Sequence, residues 1–424
     1  MEKYHKYVVS TFVGVMLMTM DFELFLGAIP ALIPLFHLSL GEITVITDVS
    51  FFVSAVAAFA FGALADTLGR KPLFMVTVLL YSLGSLFTAF SSTLGTLIFS
   101  RSVTSLGTGP DEPLGFTITS ETTPPERRGL MLTVIAIAFP LGQALGAALI
   151  YLFTLGHVYL PYVFLVGVAP ALILLLLRKT LDETDRFLDL RRAREAAKKG
   201  AGVSTKYEAD LSKAVKNPFS QMFQADLRRK SVLMAIYTVI AAGSVAVTLI
   251  SLPVYYTTVK HLSFVDTILY EFISFAIAAV GYAIVGMLGN KLSRRNVLVV
   301  FLLLSVLSFV GIIEAPSPSL VLTFNVLFVF FLFSQWAAWP FYLNEMYPTR
   351  VRATASNFGY GFQWLGNIVL PSAVTLLLTS YGATASGWAL TLTEVVLVPL
   401  LLAALVVSFL PKDNPLNVLE KNAI

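Results

Sequence analysis

Residues 62–71 read GALADTLGRK, and residues 286–295 read GMLGNKLSRR. Both stretches begin with Gly, carry Asp or Asn in the middle and end in two basic residues, and the second begins 224 positions after the first. A second pair of stretches, ETTPPERRG from Glu121 and EMYPTRVRA from Glu345, has the same offset. Two motifs at one offset indicate that the chain is built from two repeated halves.

The composition places those halves in a membrane. The chain has 424 residues, of which 57% are hydrophobic and 13% are charged, and its mean hydropathy is +0.80. A soluble globular protein of this length does not have such a composition. The absence of cysteine excludes a disulfide framework and a thiolate metal site. We therefore expect an integral membrane protein.

Twelve apolar stretches are long enough to cross the bilayer, since a helix needs about 20 residues to do so. Barrel strands would be about 10 residues long with alternating polarity, so the stretches predict helices. Spans 1 to 6 lie near residues 8–36, 43–66, 72–91, 94–122, 129–154 and 160–177, and spans 7 to 12 near 231–257, 266–290, 296–314, 319–345, 354–378 and 386–410.

The long polar segment 178–230 separates a first bundle, residues 1–177, from a second bundle, residues 231–424. It contains 14 Lys or Arg and 8 Asp or Glu, a net charge of +6, and its LRRAREAAKK stretch predicts a surface helix. The positive-inside rule assigns this linker to the cytoplasm, and with twelve spans the short basic loops fall on the same side. We expect a multi-pass protein of the cell membrane with both termini in the cytoplasm.

The repeated loop resembles a family motif. Residues Gly62, Leu64, Asp66, Gly69, Arg70 and Lys71 are similar to the loop between spans 2 and 3 of the major facilitator superfamily, and Thr67 departs where a basic residue is usual. The resemblance implies an all-α fold of two pseudo-symmetric six-helix bundles. It also implies a secondary transporter that works by alternating access, with the substrate site between the bundles.

Further motifs narrow the resemblance to the branch with sugar porters, organic-ion transporters, synaptic-vesicle-like proteins, and aromatic-acid and phosphate symporters. They are Arg101 with Gly107 in span 4, the loops after spans 4 and 10, and a motif from Glu183 after span 6. In this family such residues hold the cytoplasmic side shut. The resemblance implies a gating role for Gly62, Asp66, Gly69, Arg70, Lys71, Glu121, Arg128, Glu183, Arg186, Asn290, Arg294, Glu345, Arg350 and Arg352.

Four carboxylates lie near the middle of predicted spans, where an isolated charge costs about 2.5 to 3.5 kcal/mol. Asp21 and Glu23 point to nearly opposite faces of span 1, and Asp111 and Glu112 diverge by about 100° on span 4, so we expect one of each pair to face a cavity. Our hypothesis is that Glu23 and Asp111 couple transport to protons. The alternative is a structural ion pair of one or both with Arg101.

Aromatic and amide side chains within the spans are candidates for substrate binding, with helix packing as the alternative for each. They are Gln143, Tyr255, Tyr256, Gln335, Trp336, Trp339, Gln363 and Trp364. Trp364 stands where the phosphate and aromatic-acid groups carry a basic residue, which favours a neutral or cationic solute. Glu271 and Glu394 lie toward span ends, where we expect them to be solvated.

The resulting prediction is a proton symporter of a small organic solute. The alternatives are an uncoupled facilitator of a sugar-like solute and a nutrient receptor that signals without transport. The sequence contains no phosphate-binding glycine loop and no arrangement of nucleophile and base, so it does not support ATP drive or an enzyme. We expect a monomer in the lipid bilayer with protons as the driving force, and no cofactor, metal or nucleic acid.

Overall fold

The computed structural model describes residues 4–198, 218–347 and 351–411. Every regular element within these residues is helical. Spans 1 to 5 are Tyr4–Leu26, Leu40–Leu68, Arg70–Ala89, Leu94–Thr122 and Pro125–Leu155, and span 6 joins a 3-10 segment, Leu160–Gly167, to Val168–Lys179. Short helices follow at Ile29–Leu35 after span 1, and at Asp185–Lys198 and Pro218–Gln221 after span 6. The helix predicted in the LRRAREAAKK stretch is therefore present.

The second half repeats the arrangement. Spans 7, 8, 9 and 11 are Arg228–Thr258, Phe264–Lys291, Arg294–Glu314 and Arg352–Tyr381. Span 10 consists of Pro318–Ser334, a 3-10 turn Gln335–Ala337 and Trp339–Met346, and span 12 of Ala385–Leu392, a π segment Thr393–Leu397 and Val398–Ser408. Within the described part of the chain, eleven helices are long and apolar enough to cross a membrane. Span 4 is as long as the others but carries buried charges.

Prolines explain two interruptions that the sequence analysis did not predict. Span 1 ends at Leu26 and does not continue to residue 36, because Pro30 starts the following short helix. A proline ring clashes with the carbonyl four residues before it, which is Leu26 for Pro30. In span 10, the carbonyl four residues before Pro340 belongs to Trp336. The helix is interrupted there by the 3-10 turn. In contrast, span 4 runs without interruption through Pro110 and Pro113.

The two halves meet along two seams, span 2 with span 11 and span 5 with span 8. In the first seam Gly62 lies against the side chain of Asn357, and in the second Gly286 lies against that of Thr133. Residue 286 follows 62 by 224 positions, and residue 357 follows 133 by 224 positions. The offset found in the sequence therefore also relates these two seam contacts, and the two halves are pseudo-symmetric.

The two ends of the molecule are distinct. Tyr7 donates a hydrogen bond to the Asp182 carbonyl, so the start of span 1, the end of span 6 and the loops after spans 2 and 4 lie together. We call this the linker end and the opposite one the remote end. At the linker end, Gly69 has a φ of 117°, which side chains rarely adopt, and this separates spans 2 and 3 by a single residue.

Candidate functional site

A cavity of about 710 Å³ lies between the two halves. Its lining comes from spans 1, 4 and 5 of the first half and spans 7, 8, 10 and 11 of the second. The lining is mostly apolar, with aromatic rings and few polar groups. The aromatic side chains are Phe22, Phe116, Phe139, Tyr282, Trp336 and Trp364, and the main polar ones are Glu112, Gln363 and Asn367.

Glu112 is the one charged side chain among the described residues that line this cavity. Tyr360 of span 11 donates a hydrogen bond of 3.1 Å to its carboxylate. This bond joins the two halves across the cavity wall. A hydrogen bond to a charged group is stronger than one between neutral groups. Tyr360 is the one donor to this carboxylate among the described residues, so the carboxylate can accept further hydrogen bonds from a bound solute.

Asp111 faces away from the cavity and lies inside the first half. Its two oxygens bind the guanidinium of Arg178, at 2.5 and 3.1 Å, and Thr77 donates a third hydrogen bond of 2.5 Å. Arg178 has no exposed surface, and its guanidinium lies 3.3 Å from the centre of the Phe74 ring. Asp111 is thus fully paired, but with Arg178 and not with Arg101. Arg178, which the sequence analysis assigned to the linker, is buried within the bundle.

Arg101 pairs with Asp21 instead. Its Nη1 lies 3.0 Å from the Asp21 carboxylate, which also accepts a hydrogen bond from Ser85. Both charged residues line a second cavity of about 340 Å³, which shares Phe22 and Trp364 with the larger one. Arg101 therefore forms a structural ion pair, but with Asp21 and not with Glu23 or Asp111, the partners that the sequence analysis considered.

Glu23 points away from Asp21, as the helical geometry predicted, and is 1% exposed. Its side chain packs on Gly146 of span 5 and interacts with Glu271 of span 8. The expectation that Glu271 is solvated was wrong, because it is only 7% exposed and lies inside the span 5–span 8 seam. Glu394 is partly exposed and accepts a hydrogen bond from Tyr381 near the remote end.

Of the eight substrate-binding candidates, Trp336, Gln363 and Trp364 line the larger cavity. The other five lie elsewhere, and four of them pack or bind within one half. Gln335 accepts a hydrogen bond from Tyr237, and Trp339 packs on the same tyrosine. Tyr256 donates a hydrogen bond to Asn325, and Tyr255 packs on Trp388. Gln143 is buried, and its amide has no hydrogen-bond partner among the described residues.

Many of the gating candidates meet at the linker end. Arg70 lies 3.0 Å from Glu121 and 3.2 Å from Asp66, and the backbone N–H of Lys71 donates to Glu183 at 3.1 Å. Asp66 also accepts a hydrogen bond of 2.9 Å from Thr354 of span 11, which ties this cluster to the second half. Buried charges with several partners hold a fixed geometry.

For the remaining gating candidates the structure gives fewer contacts. Arg128 donates to the Thr123 carbonyl at 3.3 Å, Arg294 is buried at the same end, and Arg186 is half-buried. Arg350 and the side chains of Asn290, Glu345 and Arg352 lie outside the described residues.

Sequence reasoning missed Arg178, Tyr360, Tyr282 and Asn367. Arg178 is the first residue of a polar segment, so its composition gave no sign of burial. Tyr360 lies between Gly359 and Gly361 in span 11, where small neighbours leave room for close helix approach, and this was the available signal. The rotation of span 8 about its axis decides which side Tyr282 faces, and the sequence does not record it.

Comparisons with known proteins agree with this architecture. The model of the Major Facilitator Superfamily matches residues 11–340 and 272–423. A candidate niacin/nicotinamide transporter, NiaP, of Bacillus subtilis (strain 168) is 30% identical over 84% of this chain and 84% of its own length. The niacin transporter NiaP of Acinetobacter baylyi is 26% identical over 79% of this chain and 78% of its own.

Solved structures share the fold. The proton:xylose symporter XylE bound to 6-bromo-6-deoxy-D-glucose superposes with a TM-score of 0.77 at 16% identity, covering 99% of this chain and 98% of that one. The predicted fold class, two pseudo-symmetric six-helix bundles in a membrane, is confirmed by this likeness and by the family match.

Proposed function

Because the chain belongs to the Major Facilitator Superfamily, and is therefore a multi-pass membrane transporter of small organic solutes and not an enzyme, we propose that it carries a small, flat aromatic or heteroaromatic solute together with protons. In this proposal the linker end faces the cytoplasm of the cell, the segment between spans 6 and 7 forms the linker, and the protein works as a monomer. The proton gradient supplies the energy without a cofactor.

One observation carries the proposal: polar atoms without partners surround a mostly apolar cavity. The Tyr282 hydroxyl, the Trp336 Nε1 and the Gln363 Oε1 have no hydrogen-bond partner among the described residues. Buried polar groups normally have partners, so such groups in a cavity wall are candidates to bind a ligand. Together with the Glu112 carboxylate they offer a solute both donors and acceptors.

The apolar and aromatic character of the wall supports a flat ring more than a sugar. Phe22 lies 5.9 Å from Trp364, ring centre to ring centre, and Phe51 stacks on that indole at the same distance. A sugar would need a hydrogen-bonding partner for most of its hydroxyls. Two relatives are named for niacin or nicotinamide. Each of these compounds is a flat ring with one polar substituent, which suits the wall of this cavity.

The charge of Glu112 narrows the class of solute further. An ionised Glu112 in the cavity wall attracts a neutral donor or a cation and repels an anion. A carboxylic acid substrate would therefore bind with a proton on Glu112, whereas an amide would not need one. Comparing the pH dependence of acid and amide binding separates these cases.

The pairing of the four carboxylates favours particular proton sites. Glu112 and Asp21 border cavities, and Glu23 is buried without a donor, so each can exchange a proton during transport. Asp111 is held by three hydrogen bonds, two of them from Arg178. We therefore assign Asp111 to holding the bundle together, and Glu112, Glu23 and Asp21 with Arg101 to proton coupling.

Alternating access needs contacts between the halves that can break at one end while the other stays closed. Span 2 provides two: Asp66 accepts from Thr354 at the linker end, and Asp48 accepts from Ser372, at 3.1 Å, toward the remote end. In the proposed cycle these bonds open alternately, and the loop cluster around Arg70 closes the cytoplasmic side.

Purified protein in proteoliposomes tests the proposal, with nicotinamide, nicotinate and xylose as solutes and an imposed pH gradient. We expect accumulation of a pyridine compound that disappears when the gradient is collapsed. Equal equilibration with and without a gradient would indicate an uncoupled facilitator. Binding without any flux would indicate a receptor, and accumulation of xylose alone would contradict the solute class.

A further inference from the structure

Two buried carboxyl groups face each other between the halves. Glu23 lies near the end of span 1, and Glu271 lies in the second turn of span 8. They are 1% and 7% exposed, and their side chains interact with each other. Neither residue lines the cavities described above. The pair lies in the remote half of the molecule, since span 8 begins at the remote end.

No described residue donates a hydrogen bond to three of the four oxygens of this pair. Both oxygens of Glu23 and Oε2 of Glu271 have no partner among the described residues. The neighbouring span 5 contributes Gly146 and Ile150, which cannot donate a side-chain hydrogen bond. Tyr256 of span 7 is close enough to interact with Glu271, but its hydroxyl donates to Asn325.

Charge on the other face of span 1 does not compensate the pair. Asp21 and Arg101 bind each other there, 3.0 Å apart. Two ionised carboxylates in contact within an apolar environment repel strongly. One proton between them removes a charge and creates an O–H···O⁻ hydrogen bond, which is among the strongest in proteins. The arrangement is therefore stable with one proton and unstable with none.

We propose that Glu23 and Glu271 form a proton-binding pair that joins the two halves in the remote part of the molecule, so that loss of the shared proton separates spans 1 and 8. The proton comes from solvent on the remote side and is bound as the halves close; no other bond is made or broken. This deepens the proposed proton symport by naming Glu271 as the partner of Glu23, although the pair can bind a proton whether or not transport is coupled.

Distance measurement between spin labels tests the pair without transport. The chain contains no cysteine, so labels at Leu35→Cys and Thr258→Cys meet no background thiol. Both positions are exposed, and the short helix 29–35 contacts span 7, so this distance reports separation of the halves at the remote end. In the otherwise native chain we expect the short-distance population to be lost as the pH rises.

Amide variants imitate the protonated pair. In E23Q, and separately in E271Q, the amide N–H₂ donates to the remaining carboxylate without a proton. We expect each variant to lose the pH dependence and to keep the short distance at alkaline pH. E314Q, which changes an exposed glutamate at the remote end of span 9, is the matched control and should keep the native pH dependence.

Two results would overturn the proposal: no pH dependence in the native chain, or unchanged pH dependence in both amide variants. If a variant does not fold, infrared difference spectra of the native protein still decide, because a buried carboxylic acid band must be present and its absence contradicts the pair. A pH-dependent distance without gradient-driven accumulation would contradict the symport and leave the pair intact. Accumulation without a pH-dependent distance would contradict the pair and leave the symport intact.

Discussion

Asp111 and Glu112 are adjacent in the chain, but their carboxylates lie in different environments. Asp111 binds Arg178 inside the first bundle, whereas Glu112 lines the cavity between the bundles and accepts a hydrogen bond from Tyr360 of the second. The divergence of about 100° between neighbouring helical positions produces this separation. One carboxylate is therefore paired within the first bundle, and the other borders the cavity in which we propose that the solute binds.

Replacing Asp111 by Asn should lower stability. The change leaves the Arg178 guanidinium buried without its counter-ion, and breaking a buried ion pair costs about 3–5 kcal/mol. Thermal unfolding of purified Asp111→Asn should show a clear fall in Tm, whereas Asp185→Asn at an exposed position should not. An unchanged Tm together with lost proton dependence would instead identify Asp111 as a titrating transport group.

Close packing of spans 3 and 4 depends on Gly107. A methyl group there would meet the span 3 backbone at Thr77 and Tyr81, so Gly107→Ala must push the helices apart, at a cost of about 1–3 kcal/mol. Nothing lies within 4 Å of a methyl group at Gly95 of the same helix. Gly95→Ala should therefore be neutral or stabilising, by up to about 1 kcal/mol, since alanine favours helix. Equal Tm values for the two variants would argue against this packing.

Removing the indole of Trp364 should weaken solute binding. It lines both cavities and stacks with Phe51. For Trp364→Ala we expect about tenfold weaker binding, or ~1.4 kcal/mol, measured by ligand-dependent thermal shift. Trp388→Ala removes an indole that packs on Tyr255 away from the cavity and should leave the affinity of the folded protein unchanged. Equal losses in both variants would count against the site.

The two hydrogen bonds of the span 2–span 11 seam should have opposite effects on access. Thr354→Val removes the bond to Asp66, and Ser372→Ala removes the bond to Asp48. Hydrogen bonds to charged groups contribute about 1.5–3 kcal/mol, which shifts a conformational population by about tenfold or more.

Thiol labelling at Ala246→Cys in the cavity wall measures the shift, because no other cysteine is present. Thr354→Val should increase labelling by an impermeant reagent from the linker side, and Ser372→Ala labelling from the remote side. The same direction of change in both variants would refute the seam's role.

Much of the fold was predictable because one offset relates the halves. The 224-residue spacing of the two loops reappears in the contacts of Gly62 and Gly286, which depend only on the repeat being real. The proline breaks were missed because apolar composition continues through Pro30 and Pro340. Composition decides whether a segment can span the membrane, and local sterics decide where its helix stops.

The site was only partly predictable, because the sequence of an apolar helix does not show which of its faces points toward the cavity. Trp336, Gln363 and Trp364 line the cavity as expected, but Trp339, three residues after Trp336, packs on Tyr237 within its own half. Helical geometry predicted that one of Asp111 and Glu112 faces inward. Choosing between them required the position of Arg178, which comes from a different span.

Gradient-driven accumulation in proteoliposomes, compared between the native chain and Glu112→Gln, tests whether Glu112 couples solute to protons. The amide keeps the hydrogen bond from Tyr360 but cannot release a proton, so we expect accumulation against a gradient to fall to simple equilibration while solute exchange persists. The E314Q variant should accumulate as the native chain does. Native accumulation by Glu112→Gln would contradict the assignment of this carboxylate to proton coupling.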